Sequence, residues 1–325
     1  MYYRRYGHTA SVLTNGKVLV TGGVNGSCTV DSTELYDPST KEWMFTSSMN
    51  AIRLFHKATI LTNGKVLVTG GSGDTVAELY DPSTETWTVT SDMNEIRSCH
   101  TSSLLKNGKV LVTGGSGPTL GNSDAELYDP SSDTWTATES MHYARYWHQA
   151  SVLDNGKVLI TGGINREQPS SNTAELYDPS TETWEIISNM SNKRAGHTST
   201  VLTNGKVLVT GGDDDVAHST AELYDPLTGA WTFIGSLPGI PCVHTASILP
   251  NGKVLVVGGY ISYTAASNAA ALYDPSARNW TRTDDMNHAR NKHTASVLSD
   301  GAVLVTGGTD NTVWILNSTE LYQSS

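Results

Sequence analysis

The sequence predicts an all-β protein in which seven antiparallel sheets form the blades of a β-propeller. A pair of glycines recurs at intervals of 44 to 49 residues, preceded each time by Asn-Gly or Asp-Gly. In the first six units a Tyr-Asp-Pro turn and a tryptophan follow. Repeats of this length are typical of propellers and solenoids. The glycine pairs begin at Gly22, Gly70, Gly114, Gly162, Gly211, Gly258 and Gly307.

Each unit contains four short segments with the character of strands. The first resembles His-Thr-Ala-Ser-Val-Leu and the second Val-Leu-Val-Thr, and Asn15-Gly16 or its equivalent lies between them. Asn-Gly suits the positive φ angles of a two-residue type I′ turn, so we expect a tight hairpin here. The third segment ends in Asp before Pro, as at Asp37, where proline fixes φ and the carboxylate accepts nearby backbone N–H groups. The fourth opens with tryptophan, such as Trp43.

A four-stranded sheet of this size is marginally stable alone and must bury both faces. Radial packing against similar sheets achieves this, and one Tyr and one Trp per unit supply large apolar contacts between blades. We therefore expect a single domain over residues 1–325. Its units span approximately 1–48, 49–92, 93–140, 141–189, 190–236, 237–285 and 286–325.

The last unit departs from the others. The sequence begins at the Met of the repeat and ends at Gln323–Ser325, just after the third segment. The last blade is therefore expected to have three strands, or to be completed by a strand upstream of Met1.

The glycine pair, the Tyr-Asp-Pro turn, the tryptophan and an Arg-x-x-His before the first strand resemble kelch repeats over essentially the whole chain. The pattern NGKVLVTGG…AELYDPSTETW is similar to bacterial-type kelch propellers related to the central domain of galactose oxidase. This resemblance implies a propeller that presents loops on one face to a partner. In ubiquitin-ligase adaptors of this family, exposed arginines bind acidic peptides.

Composition excludes several classes of function. The net charge of -11 provides no clustered Lys and Arg for nucleic acid. No run of eighteen apolar residues or signal peptide is present, so we expect no membrane association and leave the compartment open. Cys28, Cys99 and Cys242 occupy unrelated repeat positions and form no disulfide framework or zinc spacing. We expect a monomer.

Strand direction places the Asn-Gly and Asp-Pro turns on one face. The loops after the glycine pairs and the linkers before each histidine lie on the other, which we call the variable face because their sequences differ. Loops on a rigid scaffold commonly bind ligands. Aromatic residues outside the repeat pattern concentrate there, and we expect two patches that either cover the core or bind a glycan or peptide. The candidate ligand-binding residues are Tyr2, Tyr3, Tyr6, Tyr260, Tyr263 and Trp314 in the first patch, and Tyr143, Tyr146 and Trp147 in the second.

An arginine three residues before the histidine accompanies a glutamate in the third segment of the same unit. Unit 6 lacks both, with Pro241 and Ala271 at these positions. This joint loss favours an ion pair within each blade, since removing one member of a buried pair is costly; a ligand-binding role for the arginines is the alternative. The predicted pairs include Arg53 with Glu78, Arg97 with Glu126, and Arg145 with Glu175.

No metal site, cofactor or catalytic residue is predicted. The seven repeated histidines lie one per blade, too far apart to share an ion, and Asp213–Asp215 with His218 is interpreted as a solvated loop. The resemblance to galactose oxidase implies copper bound by an adjacent Tyr-His pair and a Cys-linked Tyr. No Tyr-His pair occurs, and no tyrosine is assigned to Cys28. A phosphate loop and a serine nucleophile elbow are also missing.

Three functions remain from the sequence. We favour a non-catalytic protein-interaction scaffold, followed by a carbohydrate-binding propeller that uses the aromatic residues of its variable face. A copper-radical oxidase is the third.

Overall fold

The computed structural model describes residues 1–118, 121–165, 169–212, 219–239, 243–262, 265–310 and 315–323. Every regular element within these ranges is a β-strand. Six four-stranded sheets and one three-stranded sheet follow one another along the chain as seven blades. The predicted all-β propeller is confirmed, and so is the three-stranded last blade.

Each blade is antiparallel and hydrogen-bonded in chain order from the axis outward. The innermost strands are Thr9–Val12, Lys57–Ile60, Thr101–Leu104, Gln149–Val152, Thr198–Val201, Thr245–Ile248 and Thr294–Val297. The second strands are Val18–Thr21, Val66–Thr69, Val110–Thr113, Val158–Thr161, Val207–Thr210, Val254–Val257 and Val303–Thr306. The third strands are Thr33–Asp37, Glu78–Asp81, Ala125–Asp129, Ala174–Asp178, Thr220–Asp225, Ala270–Asp274 and Thr319–Tyr322. The outer strands are Glu42–Phe45, Thr86–Val89, Thr134–Thr138, Thr183–Ile186, Ala230–Ser236 and Asn279–Arg282.

Two short hairpins lie in the loops after the glycine pairs of blades 1 and 6. They pair Val24–Asn25 with Cys28–Thr29, and Tyr260–Ser262 with Ala265–Ala266.

The ring of blades is closed. The innermost strand of every blade contacts those of both neighbours, including the first and last blades. At this junction the Gly308 N–H donates to Arg5 O at 2.9 Å, and the Arg5 N–H donates to Leu316 O at 3.1 Å. The linker before blade 1 is therefore held by blade 7, as the linker before blade 2 is held by blade 1 through the Gly23 N–H and Arg53 O at 2.8 Å.

The hydrophobic core lies between the blades. In the second strand of blade 1, Val18 and Val20 pack against blade 7, whereas Leu19 packs against Val66 and Val68 of blade 2. Successive side chains of a strand point to opposite faces of the sheet, so a strand covered on both sides reads as a continuous apolar run. Similar clusters fill the other five interfaces.

The Asn-Gly turns differ from the type I′ prediction. The Leu13 N–H donates to Lys17 O at 2.8 Å, and the Gly16 N–H donates to Leu13 O at 2.9 Å. Gly16 has a φ of 83°, but Asn15 does not adopt positive φ. This is a three-residue loop that ends in a left-handed glycine. The predicted two-residue turn is therefore wrong. Asparagine stabilises this loop through a side-chain hydrogen bond and not through a positive φ, since Asn15 Oδ1 accepts the Lys17 N–H at 3.1 Å.

The Asp-Pro turns form as expected. Asp37 Oδ1 accepts hydrogen bonds from the Ser39 N–H at 2.9 Å and the Ser39 hydroxyl at 2.6 Å. These bonds lower the pKa of the Asp37 carboxyl.

A buried arginine and glutamate fasten each linker to its blade. The Arg53 guanidinium donates to Gly70 O at 2.9 Å and Glu78 Oε1 at 2.8 Å. The Glu78 carboxylate also accepts the Asn50 and Ala51 N–H groups at 2.6 and 3.1 Å. We call this arrangement the linker clamp. It recurs in Arg5–Glu34 at 2.9 Å, Arg97–Glu126 at 2.9 Å, Arg145–Glu175 at 2.7 Å, Arg194–Glu222 at 2.9 Å and Arg290–Glu320 at 2.7 Å.

Burial makes a ligand-binding role unsuitable for the clamp arginines, since all six are fully buried. Blade 6 has Ala271 where the other blades have glutamate, and Pro241 lies outside the described residues. Glu320 keeps 13% of its side chain exposed because blade 7 has no outer strand over it.

We expect Glu126→Gln to lower the free energy of unfolding by about 3 kcal/mol, because it leaves the Arg97 charge buried without its anion. Glutamine preserves an acceptor for the Asn94 N–H, which donates to Glu126 Oε2 at 2.7 Å. Denaturant titrations of this variant and of Arg97→Met/Glu126→Gln measure the effect. The double variant should have a higher free energy of unfolding than Glu126→Gln alone. If the double variant is no more stable than Glu126→Gln, Arg97 and Glu126 do not form a coupled pair.

Candidate functional site

The linkers and loops of the variable face surround a cavity on the propeller axis. It has a volume of about 440 Å³ and is lined by the innermost strands and the residues immediately before them. This volume lies within the range of small-molecule sites.

Seven residues form the opening of this cavity, one from each blade. Each directly precedes the histidine that begins the repeat, and each has a positive φ of 50° to 63°. Neighbours are joined by backbone hydrogen bonds, such as Phe55 N–H to Gly7 O at 3.0 Å and Trp147 N–H to Cys99 O at 3.0 Å. We call these residues the mouth ring: Gly7, Phe55, Cys99, Trp147, Gly196, Val243 and Lys292.

The left-handed backbone is costly for the bulky members of the mouth ring. Packing of the surrounding blades maintains it, and strained conformations of this kind are concentrated at ligand-binding sites. The ring is therefore a rigid frame whose side chains differ from blade to blade.

Aromatic side chains gather around one ammonium at this opening. The Phe55 and Trp147 rings meet edge to face, with centroids 4.9 Å apart. Lys292 Nζ lies 5.4 Å from the Tyr6 ring centroid and 6.0 Å from those of Phe55 and Tyr260. All five side chains are partly exposed. We call them the mouth cluster, and distances of about 6 Å or less permit cation–π attraction.

The structure divides the aromatic residues differently from the two predicted patches. Tyr6 and Tyr260 of the first patch join Trp147 of the second. Tyr2 and Tyr3 lie apart from them, against Phe45 of the outer strand of blade 1, at centroid distances of 4.5 and 5.6 Å.

The remaining predicted aromatic residues do not enter the mouth cluster. Tyr143 is 40% exposed, with the Arg145 guanidinium 5.9 Å from its ring. Tyr146 is half-buried, and its backbone pairs with Ile164. Tyr263 and Trp314 lie outside the described residues.

Phe55 and Lys292 complete the mouth, although they were absent from the predicted ligand-binding set. The sequence does contain a pattern that could have identified them. The residue before the repeated histidine differs between blades, although the surrounding motif is regular, and in chain order it is Gly, Phe, Cys, Trp, Gly, Val and Lys.

The repeated histidines are buried beneath the mouth and bind the preceding blade. His56 Nε2 lies 2.9 Å from Thr9 Oγ1 and 3.1 Å from Thr21 Oγ1. Burial lowers the pKa of His56, His244 and His293 to about 3, and the pKa values of the other four lie well below 6.5. The other hydrogen bonds are His8–Thr294, His100–Thr69, His148–Thr101, His197–Thr161, His244–Thr210 and His293–Thr245, at 2.7 to 3.1 Å.

Within the described ranges, no group of three or more His, Cys, Asp or Glu side chains is arranged to hold a metal ion. Asp213–Asp215, His218 and Cys242 lie outside those ranges. Cys28 is exposed and Cys99 is half-buried, and both are free thiols. The part of the chain that the structure describes also contains no helix long and apolar enough to cross a bilayer.

Two innermost strands depart from the repeat inside the cavity. The residue after the histidine is threonine in five blades, but Lys57 in blade 2 and Gln149 in blade 4. Burial lowers the pKa of Lys57. Burial also raises the pKa of the Cys99 thiol to about 11, so the thiol stays protonated near Lys57.

The closed ring of repeats and its axial opening define a kelch-type β-propeller. The family model for the KLHDC2/KLHL20/DRC7 Kelch-repeats domain matches residues 55–242, more than half of the chain. The chain therefore belongs to this kelch-repeat family. Kelch-motif models also match residues 4–50 and 241–287, and the predicted kelch resemblance is confirmed. No curated protein matches the chain.

Solved structures share the fold at low sequence identity. A fungal alcohol oxidase of the AA5 family, in complex with copper, is 22% identical with a TM-score of 0.77, over 95% of this chain and 71% of that chain. YjhT is 17% identical with a TM-score of 0.66, over 82% of this chain and 93% of that chain. At these identities the likeness shows the propeller architecture alone.

The mouth ring allows a direct measurement of backbone strain. Gly196→Ala should lower the free energy of unfolding by about 1 kcal/mol, because an L-residue is disfavoured at positive φ. Space does not limit this change, since the new Cβ would lie 3.6 Å from Val243 Cγ2. Gly7→Ala should cost more, because its Cβ would lie 2.6 Å from Leu54 Cδ1. Denaturant titrations measure both changes. If Gly196→Ala has the same free energy of unfolding as the wild type, the left-handed backbone at this position is not strained.

The buried histidines predict destabilisation in mild acid. Their pKa values in the folded protein lie below the ordinary histidine value of about 6.5, so below that pH the unfolded chain binds protons that the folded chain does not. The free energy of unfolding therefore falls as pH drops below about 6.5, by about 1.4 kcal/mol per pH unit for each histidine. Carboxylates of the unfolded chain remain ionised down to about pH 5.

Denaturant titrations between pH 7 and about 5 measure the slope of the free energy of unfolding against pH. His244→Asn should reduce this slope by about 1.4 kcal/mol per pH unit, the contribution of one proton. If the free energy of unfolding stays constant down to about pH 5, the buried histidines are not held neutral in the folded protein.

Proposed function

We propose that this propeller is a non-catalytic module that binds a protein partner at the channel mouth. The mouth cluster is the observation that carries the proposal. It combines Phe55, Trp147, Tyr6 and Tyr260 with the Lys292 ammonium on one partly exposed surface. Buried aromatic residues surrounded by polar groups dominate the binding energy of protein interfaces.

The rigid frame beneath this cluster supports the same function. The mouth ring is held by backbone hydrogen bonds and by buried histidines, so its side chains are positioned before a partner arrives. Preorganisation reduces the entropy lost on association. Membership of the kelch-repeat family is consistent with this role.

The face that carries the Asn-Gly and Asp-Pro turns is a poorer candidate for the protein-binding surface. It repeats one surface ion pair, as in Lys65–Asp81 at 3.0 Å and Lys206–Asp225 at 2.9 Å. Charged side chains are depleted at the centres of protein interfaces.

A second candidate is carbohydrate binding at the outer edge of blade 1. Tyr2 and Phe45 stack with a centroid distance of 4.5 Å and are 56% and 54% exposed. Exposed apolar surfaces of this kind mark interaction sites. An oxidase is the third candidate; the copper-bound relative shares only the fold, and the described residues offer no cluster of three His, Cys, Asp or Glu side chains.

Trp147→Ala should strongly weaken partner binding. Immobilised wild-type protein and variants are exposed to an extract of the producing cells, and retained proteins are quantified by mass spectrometry. Truncation of a central aromatic side chain costs about 2 kcal/mol or more of binding free energy, roughly thirtyfold in affinity. The matched control is Phe233→Ala, which removes a 54% exposed aromatic side chain from the outer strand of blade 5.

A partner retained by the wild type and Phe233→Ala but lost from folded Trp147→Ala supports the proposal. Equal retention by all three proteins contradicts the mouth as the interface. Glycans that bind the wild type but not Tyr2→Ala would support the second candidate. Copper uptake with hydrogen peroxide release would support the third.

A further inference from the structure

The described lining of the cavity contains the Lys57 ammonium and no carboxylate. Lys57 takes the place of the threonine that hydrogen-bonds the next histidine in other blades, as Thr9 does with His56. Its own next histidine, His100, is held by Thr69 instead, at 2.8 Å. The fold therefore does not require the Lys57 ammonium.

Within the described residues, the titratable groups that interact with Lys57 are neutral. The Cys99 thiol is protonated, and His100 and His148 are buried with pKa values well below 6.5. Within the described residues, neither the Lys57 ammonium nor the Gln149 amide makes a side-chain hydrogen bond or ion pair. Lys57 and Lys292 are the charged side chains of the described lining, which includes no Asp or Glu.

Lys57 is half-buried and borders the cavity, so its ammonium can be accompanied there by an anion or by water. The overall charge of -11 does not attract anions, so the positive potential is a local property of the channel. Lys292 lies at the mouth and Lys57 lies deeper inside, so the entrance and the interior of the channel both carry positive charge.

Most of the other polar side chains in the described lining are engaged in hydrogen bonds. The hydroxyls of Thr9, Thr245 and Thr294 bind histidines. Phe55 and Trp147 lie at the opening. Among the described lining residues, the interior offers the Lys57 ammonium, the Gln149 amide and the Thr200 hydroxyl as polar groups without a hydrogen bond to protein, a donor set suited to a monoanion.

We infer that the axial channel binds a small organic monocarboxylate. Its carboxylate forms an ion pair with the Lys57 ammonium and accepts a hydrogen bond from the Gln149 amide. Its apolar part lies against the Phe55 and Trp147 rings at the opening. This binding does not depend on the proposed protein interaction.

Phenylacetate is the probe, measured by isothermal titration calorimetry with the full chain near neutral pH. Phenylacetamide has nearly the same shape without the charge, and inorganic phosphate tests for a general oxyanion site. Lys57→Met removes the ammonium at similar length, and Lys57→Thr restores the residue present in five other blades. Lys193→Met is the matched control, because it makes the same charge change on an exposed side chain outside the channel lining.

Phenylacetate should bind the wild type and Lys193→Met with equal affinity. Both Lys57 variants should bind it about tenfold to hundredfold more weakly, and the wild type should discriminate against phenylacetamide to a similar extent. The melting temperature of Lys57→Thr shows whether the propeller remains folded.

Three results would overturn the proposal. They are equal affinity in folded Lys57→Thr and the wild type, equal affinity for the acid and the amide, and no saturable binding of phenylacetate. Tighter binding of phosphate than of phenylacetate would likewise reject a carboxylate site.

Discussion

The structure depends on the packing of each blade against both of its neighbours. Valines of a second strand face one neighbouring blade and the intervening leucine faces the other, so no blade buries its apolar surface alone. Closing the ring gives the first and last blades the same cover as the rest. Propeller architecture generally solves the problem of exposed sheet faces in this way.

Radial packing brings seven equivalent linkers to one opening, where two buried polar arrangements hold them. The linker clamps join the linkers to their own blades, and the histidines join each blade to the one before it. Buried hydrogen bonds and ion pairs of this kind restrict the linkers to one conformation. This scaffold maintains the left-handed backbone of the mouth ring, and it leaves the side chains at seven positions free to vary.

The site combines this variation with two departures inside the channel. The mouth presents aromatic rings around Lys292, whereas the interior presents Lys57 and Gln149 among neutral histidines. A macromolecular partner and a small anion would thus contact different depths of the same axial opening. The opposite face carries the repeated turns and several copies of one surface Lys–Asp ion pair.

The sequence by itself determined the number of blades, the order of their strands and the repeated positions, because each unit repeats the same turns, the same glycine pair and the same continuously apolar second strand. It also indicated the Arg–Glu pairs, since both charges disappear together in unit 6. Only the tertiary structure decided which residues meet at the axis. Phe55, Trp147, Tyr260 and Lys292 come from four blades, and their proximity results from the curvature of the closed ring. Local pattern contains no information about that curvature, and for the same reason the sequence misplaced Tyr2 and Tyr3.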